Sequence, residues 1–264
     1  MRAFFIGLQF LTRISIVEQK DWCEKDFADS VRYFPLIGLV LGIIYTAFAA
    51  LLLILLPQNG FLLPHHVVAA ALLILPILLT GGLHCDGFMD TMDGVFSGRE
   101  RERKLEIMKD SRVGSFGVVA FVSLFALNVS LLFDMKPDFA MLGLFLMPII
   151  GRLAMTTVIS FFPYARKEGM GKAFADSADT RTFLSALVFA AIFILPNGEL
   201  AAIALGVGLL FAFVFASFVK GELGGLTGDV YGATTMLTET LVLIVMLIAS
   251  HWMESPEILW LLLC

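Results

Sequence analysis

FPLIGLVLGIIYTAFAALLLILL, residues 34–56, carries no charged side chain. At a rise of 1.5 Å per residue, about 20 such residues cross the ~30 Å hydrocarbon core of a bilayer, so the stretch reads as a transmembrane helix. Six more stretches read the same way: 61–80, 114–133, 139–162, 182–195, 200–219 and 235–252, of which 182–195 is short for a crossing. The composition agrees. The chain is 59% hydrophobic with 25 Phe and a mean hydropathy of +0.90. Only 16% of it is charged, where soluble domains carry about a quarter. The expected fold is an all-α, polytopic membrane bundle of about seven transmembrane helices with interfacial and loop helices. No internal repeat or low-complexity linker divides it, so residues 1–264 are expected to form a single domain.

Outside the spans, residues 4–11 form a short apolar run followed by Thr12 and Arg13, without a small-residue cleavage site. They read as an amphipathic interfacial segment rather than a signal peptide. The apolar tail 258–263 is too short to cross. Pro35, Pro76 and Pro148 are expected to kink their helices, which membrane bundles tolerate. Cys23, Cys85 and Cys264 are widely separated and odd in number, so they read as unpaired thiols. The net charge of −5 and the lack of a long basic face argue against nucleic acid as a partner.

Lys and Arg concentrate in residues 1–32, 81–113 and 163–181, with one more in 220–234. If seven spans alternate, sixteen of the eighteen basic residues fall on one side. The positive-inside rule makes that side cytoplasmic and puts the C-terminus outside. The large charged connections therefore share a face, open to soluble substrates from the cytoplasm and to amphiphilic ones from the bilayer.

The most polar connection is GGLHCDGFMDTMDGVFSGRERERKLEIMKDSRVGSFG, residues 81–117. If its start is helical, Asp86, Asp90 and Asp93 lie at i, i+4 and i+7 on one face. Adjacent carboxylates repel unless a cation sits between them. Mg2+ binds carboxylates together with waters and substrate phosphates, which makes the three aspartates candidate metal ligands for phosphoryl chemistry. A solvated acidic face at a membrane surface is the alternative. His84 is a candidate general base or metal ligand, or a hydrogen-bonded structural group. Residues 99–112, RERERKLEIMKDSR, read as a cytoplasmic helix in which Glu100 and Lys104 form an i,i+4 pair. Asp110-Ser111-Arg112 before Gly114-Ser115 resembles a phosphate-facing turn, so Arg112 is the preferred phosphate ligand of this run.

Further along, Arg152 lies inside a span, where a charge is costly and usually pairs or serves a site. Arg166 and Lys172 in the next charged loop are anion ligands or simply topogenic charges. GELGGLTGDVYG, residues 221–232, is too glycine-rich for a helix. Its backbone amides, Gly228 among them, are candidates to cradle a phosphate, or the segment is a plain re-entrant turn. It lacks the GK[ST] ending of a Walker A loop. Asp229 could join the metal site.

Several ordered blocks together resemble one family. They are QFLTRI (9–14), YFPLIGLVLG (33–42), GGLHCDGFMDTMDG (81–94) and RERKLEIMKDSRVGSFG (101–117), then GR (151–152), PYAR (163–166) and GGLTGDVYGA (224–233). The family is cobalamin synthase, the adenosylcobinamide-GDP ribazoletransferases. The resemblance spans the chain end to end, and HxDGxxDTxDG combined with EIMKDSRxGSxG is highly specific. It implies transfer of the cobinamide phosphoryl unit from adenosylcobinamide-GDP to α-ribazole or α-ribazole 5′-phosphate, with release of GMP and a requirement for Mg2+. Asp86, Asp90 and Asp93 would hold the metal. His84 or an aspartate would take the proton of the attacking hydroxyl. Arg112, Arg152, Arg166 and Lys172 would steady the phosphates. The implied setting is the cytoplasmic membrane of a bacterium or archaeon, with the lipid bilayer as surroundings and a homo-oligomer compatible with it.

Rival readings fit the residues less well. A CDP-alcohol phosphotransferase carries DGxxAR…GxxxDxxxD, and here Asp86-Gly87 runs on to Met89-Asp90. A prenyltransferase would need a second aspartate-rich motif. A cation transporter places its carboxylates near the midplane in broken helices, whereas these fall at a span's end.

Overall fold

The computed structural model describes residues 2–17 and 24–256. Cys23, Cys264 and the tail 258–263 lie outside the described residues, as do the paired or unpaired states of those two thiols. The described part is helical, apart from a single parallel bridge between Tyr164 and Leu226.

The chain opens with two short helices, α1 (Arg2–Leu11) and α2 (Glu24–Asp29). The long α3 (Phe34–Ala50) follows, prolonged by a π-helical turn, Leu51–Leu55, and a last turn α4 (Leu56–Gln58). Next come α5 (His65–Thr80), α6 (Leu83–Val95), α7 (Arg101–Ile107) and α8 (Ser115–Asp134). The remainder is α9 (Pro137–Phe161), α10 (Met170–Ser177), α11 (Thr180–Ile194), α12 (Gly198–Leu223) and α13 (Gly228–Trp252).

The centre of the bundle is α9, whose apolar length is buried throughout. Small residues let its neighbours approach. Gly38 and Gly42 of α3 form a GxxxG pair, and a Cβ at either would run into the α9 backbone at Pro148 or Phe145. Around this centre the outer helices expose large apolar side chains, among them Leu78, Val119, Leu210 and Ile248, as a lipid-facing surface requires. The fold is thus the helical membrane bundle expected from composition.

The number of crossings is less simple than seven. Among the described residues, five helical runs are long and apolar enough to cross, or six if the bent pair α5–α6 is one span. One of these is the 44-residue run 180–223, which combines α11 and α12. It is interrupted at Pro196 and by Gly198 at φ +83°. The α11 leg, of 15 residues, is only about 22 Å long, short of the bilayer core. The proline readings also divide. Pro76 and Pro148 sit inside α5 and α9, but Pro35 occupies the first turn of α3, where its missing N–H costs nothing.

Two consecutive left-handed glycines set the geometry that matters most. Gly81 (φ +64°) and Gly82 (φ +74°) close the end of α5 by donating to Leu78 and Ile77, an arrangement only glycine adopts without strain. The chain then turns through 93° into α6. Arg13 sits over this corner, with its amide donating to the Leu79 carbonyl at 2.7 Å and its guanidinium against Gly81. A cation there complements the exposed carbonyls of a helix C-terminus.

Candidate active site

After its corner, α6 is helical from Leu83 to Val95, so Asp86, Asp90 and Asp93 do share one face. It packs on α13 and α8 through glycines. A Cβ at Gly87 would come within 2.8–3.0 Å of the Asp229 backbone, and one at Gly232 would touch the His84 backbone at 3.3 Å. This contact brings the acidic face of α6 to the first turn of α13. Asp86, Asp93 and Asp229 all lie close enough to Asp90 to act on its charge, as does Arg166 with the opposite sign.

The loops after α9 and α12 meet at the same end. Ala165 N–H donates to the Leu226 carbonyl at 2.7 Å, and Leu226 N–H donates to that of Pro163 at 2.8 Å. This bridge holds Arg166 so that its Nη2 donates to Asp229 Oδ2 at 3.0 Å. Thr227 caps α13, accepting from Val230 N–H at 3.4 Å and donating to Asp229 Oδ2 at 3.1 Å. Burial pushes the nearby Tyr164 phenol up. The turn expected in the glycine-rich segment is confined to 224–227, with Gly224 at φ +73°, while Gly221 belongs to α12 and Gly228 and Gly232 to α13. Gly225 serves close packing, since a Cβ there would collide with Pro163 and Ala165. At Gly228 nothing stands within 4 Å of a Cβ position, and its backbone hydrogen-bonds the Tyr164 hydroxyl.

The three aspartates of α6 have different surroundings. Both Asp93 oxygens accept backbone amides at the start of α8, from Gly114 and Gly117, each at 2.8 Å. Asp93 thus satisfies two of the orphan N–H groups that every helix N-terminus presents. Asp86 and Asp90 have no such partner among the described residues. No three His, Cys, Asp or Glu side chains there are gathered tightly enough to hold a metal ion by themselves. The donor set still fits Mg2+, which is commonly held by one or two carboxylates with waters and substrate phosphates. Asp86 and Asp90 would supply the two carboxylates, with Asp93 and Asp229 alongside.

The basic candidates disperse. Arg112 is 88% exposed and clasps Asp110 at 2.7 Å, in the turn expected there. Its guanidinium holds the Asp110 carboxyl down at about 2. The helix of this run covers only Arg101–Ile107. Lys104 is buried against Glu222 of α12 rather than paired with Glu100, and Arg101 Nε donates to the Leu223 carbonyl at 2.7 Å. These two cations dock α7 on the C-terminus of α12. Lys172 pairs with Asp176 one turn along α10.

Arg152 is 1% exposed and engages Glu239 of α13. Rather than reaching the loops, it lines an interior chamber of about 70 Å³ with Tyr45, His84, Asn128 and Thr240. His84 separates this chamber from a second cavity of about 190 Å³ that Asp86 and Asp229 border. Both His84 ring nitrogens are buried without a protein partner. Two groups at these chambers escaped the sequence reading. Glu239 is an acidic residue within a span, a signal that it pairs. Tyr231 stands in the quoted GGLTGDVYGA block, but nothing in the pattern distinguishes it from a core aromatic.

A polytopic helical bundle with carboxylates and an arginine gathered at one polar end defines a membrane-embedded enzyme site. Residues 3–247 match the family described as cobalamin-5-phosphate synthase, and the chain belongs to it. It is 42% identical to the adenosylcobinamide-GDP ribazoletransferase of Desulfitobacterium hafniense, over 92% of this chain and 96% of the relative. The enzyme of the same name from Desulforamulus reducens is 39% identical (86% and 89% covered), and that from Alkaliphilus oremlandii 36% (91% and 95%). No solved structure matches this chain. The chain is a transferase of cobalamin biosynthesis.

Proposed function

We propose that this transferase joins the cobinamide phosphoryl unit of adenosylcobinamide-GDP to α-ribazole or α-ribazole 5′-phosphate and releases GMP. The relatives' names supply the donor and the ribazole acceptor. The observation that carries the reading is the meeting of Asp86 and Asp90 with Asp229 and its partner Arg166 at one end of the bundle.

The acceptor hydroxyl attacks the phosphorus nearer the cobinamide, the bond from that phosphorus to the bridging oxygen breaks, and GMP departs. His84 or one of the aspartates takes the hydroxyl proton. Arg166 and the backbone at Gly228, once it leaves the Tyr164 hydroxyl, steady the diphosphate, with Arg112 and Lys172 available once they leave their acidic neighbours. Mg2+, held by Asp86 and Asp90 with Asp93 and Asp229 beside them, would neutralise phosphate charge. Most of the acceleration comes from positioning and electrostatic stabilisation. The site faces the cytoplasm of a bacterial or archaeal cell and the C-terminus lies outside, as the Lys and Arg distribution indicates.

The test is product analysis with the purified chain in proteoliposomes. With adenosylcobinamide-GDP and either acceptor, one GMP should appear per joined product, and chelating the divalent metal should stop both. Ion flux without GMP release, or turnover indifferent to chelation, would contradict the reading.

A further inference from the structure

The 190 Å³ cavity beside Asp86 and Asp229 has a composition that specifies its occupant. Its volume is several times a water's ~30 Å³ share and below the ~300–1,000 Å³ of clefts for drug-sized molecules. It suits one small ring system. Its walls are apolar and come from distant segments: Phe10 and Leu11 of α1, Met155 and Ile159 of α9, and Phe174 of α10. Phe10 and Phe174 meet edge to face at 5.3 Å, and Phe27 and Phe34 back them at 4.3 and 5.6 Å from Phe174.

Two polar side chains without a hydrogen-bond partner border this apolar space, His84 through both ring nitrogens and Tyr231 through its hydroxyl. Tyr231 is 3% exposed and its hydroxyl is buried without a hydrogen-bond partner. Such orphans are rare and costly. A lone water would satisfy the phenol but leave the aromatic walls unfilled. The mouth is of the opposite character, bordered by the Asp86 and Asp229 carboxylates and the Gly228 backbone.

We propose that this cavity binds the planar heteroaromatic base of the acceptor nucleoside, with the Tyr231 hydroxyl donating to the base's unsubstituted ring nitrogen. The inference rests on the reaction proposed above and names the acceptor's place in it. A benzimidazole-type base has two apolar faces, an apolar outer edge and one acceptor nitrogen, which matches the aromatic walls and the Tyr231 phenol. Its sugar then lies at the mouth, where the attacking hydroxyl meets the carboxylates. Tyr231 is therefore a specificity-determining residue.

The experiment compares α-ribazole with its analogue carrying carbon in place of the unsubstituted ring nitrogen, using the full chain in detergent. In the unchanged protein the analogue's acceptor KM should be about tenfold higher, the scale of one net hydrogen bond lost. Tyr231→Phe should raise the α-ribazole KM to the analogue's value and abolish the difference, with the KM for adenosylcobinamide-GDP unmoved. Ile159→Trp, which fills the cavity, should raise the α-ribazole KM at least tenfold and affect an imidazole nucleoside less. If Tyr231→Phe keeps the discrimination, or Ile159→Trp leaves every acceptor KM unchanged, the proposal is overturned. Retention of a lipid chain that only Ile159→Trp displaces would identify the cavity as a lipid slot and also overturn it. Calorimetric binding of α-ribazole to the same variants reads the cavity independently of turnover. An unchanged protein that binds α-ribazole in a Tyr231-dependent way but releases no GMP would refute the proposed reaction and not the pocket.

Discussion

Asp86, Asp90 and Asp93 occupy successive turns of α6, yet their neighbours give them different work. Asp93 spends both oxygens on the amides of Gly114 and Gly117, so it ties α6 to the start of α8. Replacing it by Ala leaves two buried-side N–H groups without their charged acceptor. The expected cost is about 2–3 kcal/mol of stability, read as a lowered thermal midpoint in detergent. An unchanged midpoint would show that Asp93 is free for other duties. The sequence spacing placed all three aspartates on one face correctly. It could not reveal which would be captured by an amide pair, because those amides lie beyond the next charged helix.

At the scale of elements, the contact that assembles the site is α6 against α13. It depends on a missing side chain: a Cβ at Gly87 would come within 2.8–3.0 Å of the Asp229 backbone, which has no flexible end to yield. Gly87→Ala should push the two helices apart, costing about 1–3 kcal/mol as overpacking does and reducing turnover more than Gly232→Ala, whose nearest contact is 3.3 Å. Equal activity in both variants would mean that the helix spacing is not critical. The turn expected over 221–232 is real but shorter, 224–227, with helix on either side. Composition records low helix propensity, whereas a membrane bundle uses small residues for close helix packing. The helix expected over 99–112 likewise ends at Ile107, because the Asp110–Arg112 turn competes with it.

At the scale of the whole molecule, two charges inside the bundle are paired between helices. Arg152 of α9 and Glu239 of α13 neutralise one another beside His84. Removing one partner strands a buried charge, so Glu239→Gln should destabilise the chain by about 3–5 kcal/mol, and Arg152→Met with Glu239→Leu should recover much of that loss. Thermal unfolding of the three variants checks it; additive losses would argue against coupling. Helical class, the polar end of the bundle and the partnership of the three charged connections were all readable from apolar run lengths and charge placement. Five runs, or six with the bent pair α5–α6, are long and apolar enough to cross among the described residues, because the expected spans 182–195 and 200–219 fall within one run, 180–223, and 61–80 turns through 93° into α6.

The claim on which the rest depends is that the carboxylate face of α6 carries the chemistry. Asp90→Asn is nearly isosteric, and Asp90 makes no structural hydrogen bond comparable to those of Asp93. Measured as GMP released from adenosylcobinamide-GDP over a range of Mg2+ concentrations, this variant should lose at least a hundredfold in turnover, the scale seen when one preorganised electrostatic group is removed from an active site, while its thermal midpoint stays near that of the unchanged protein. Near-normal turnover with an unaltered Mg2+ dependence would contradict the account.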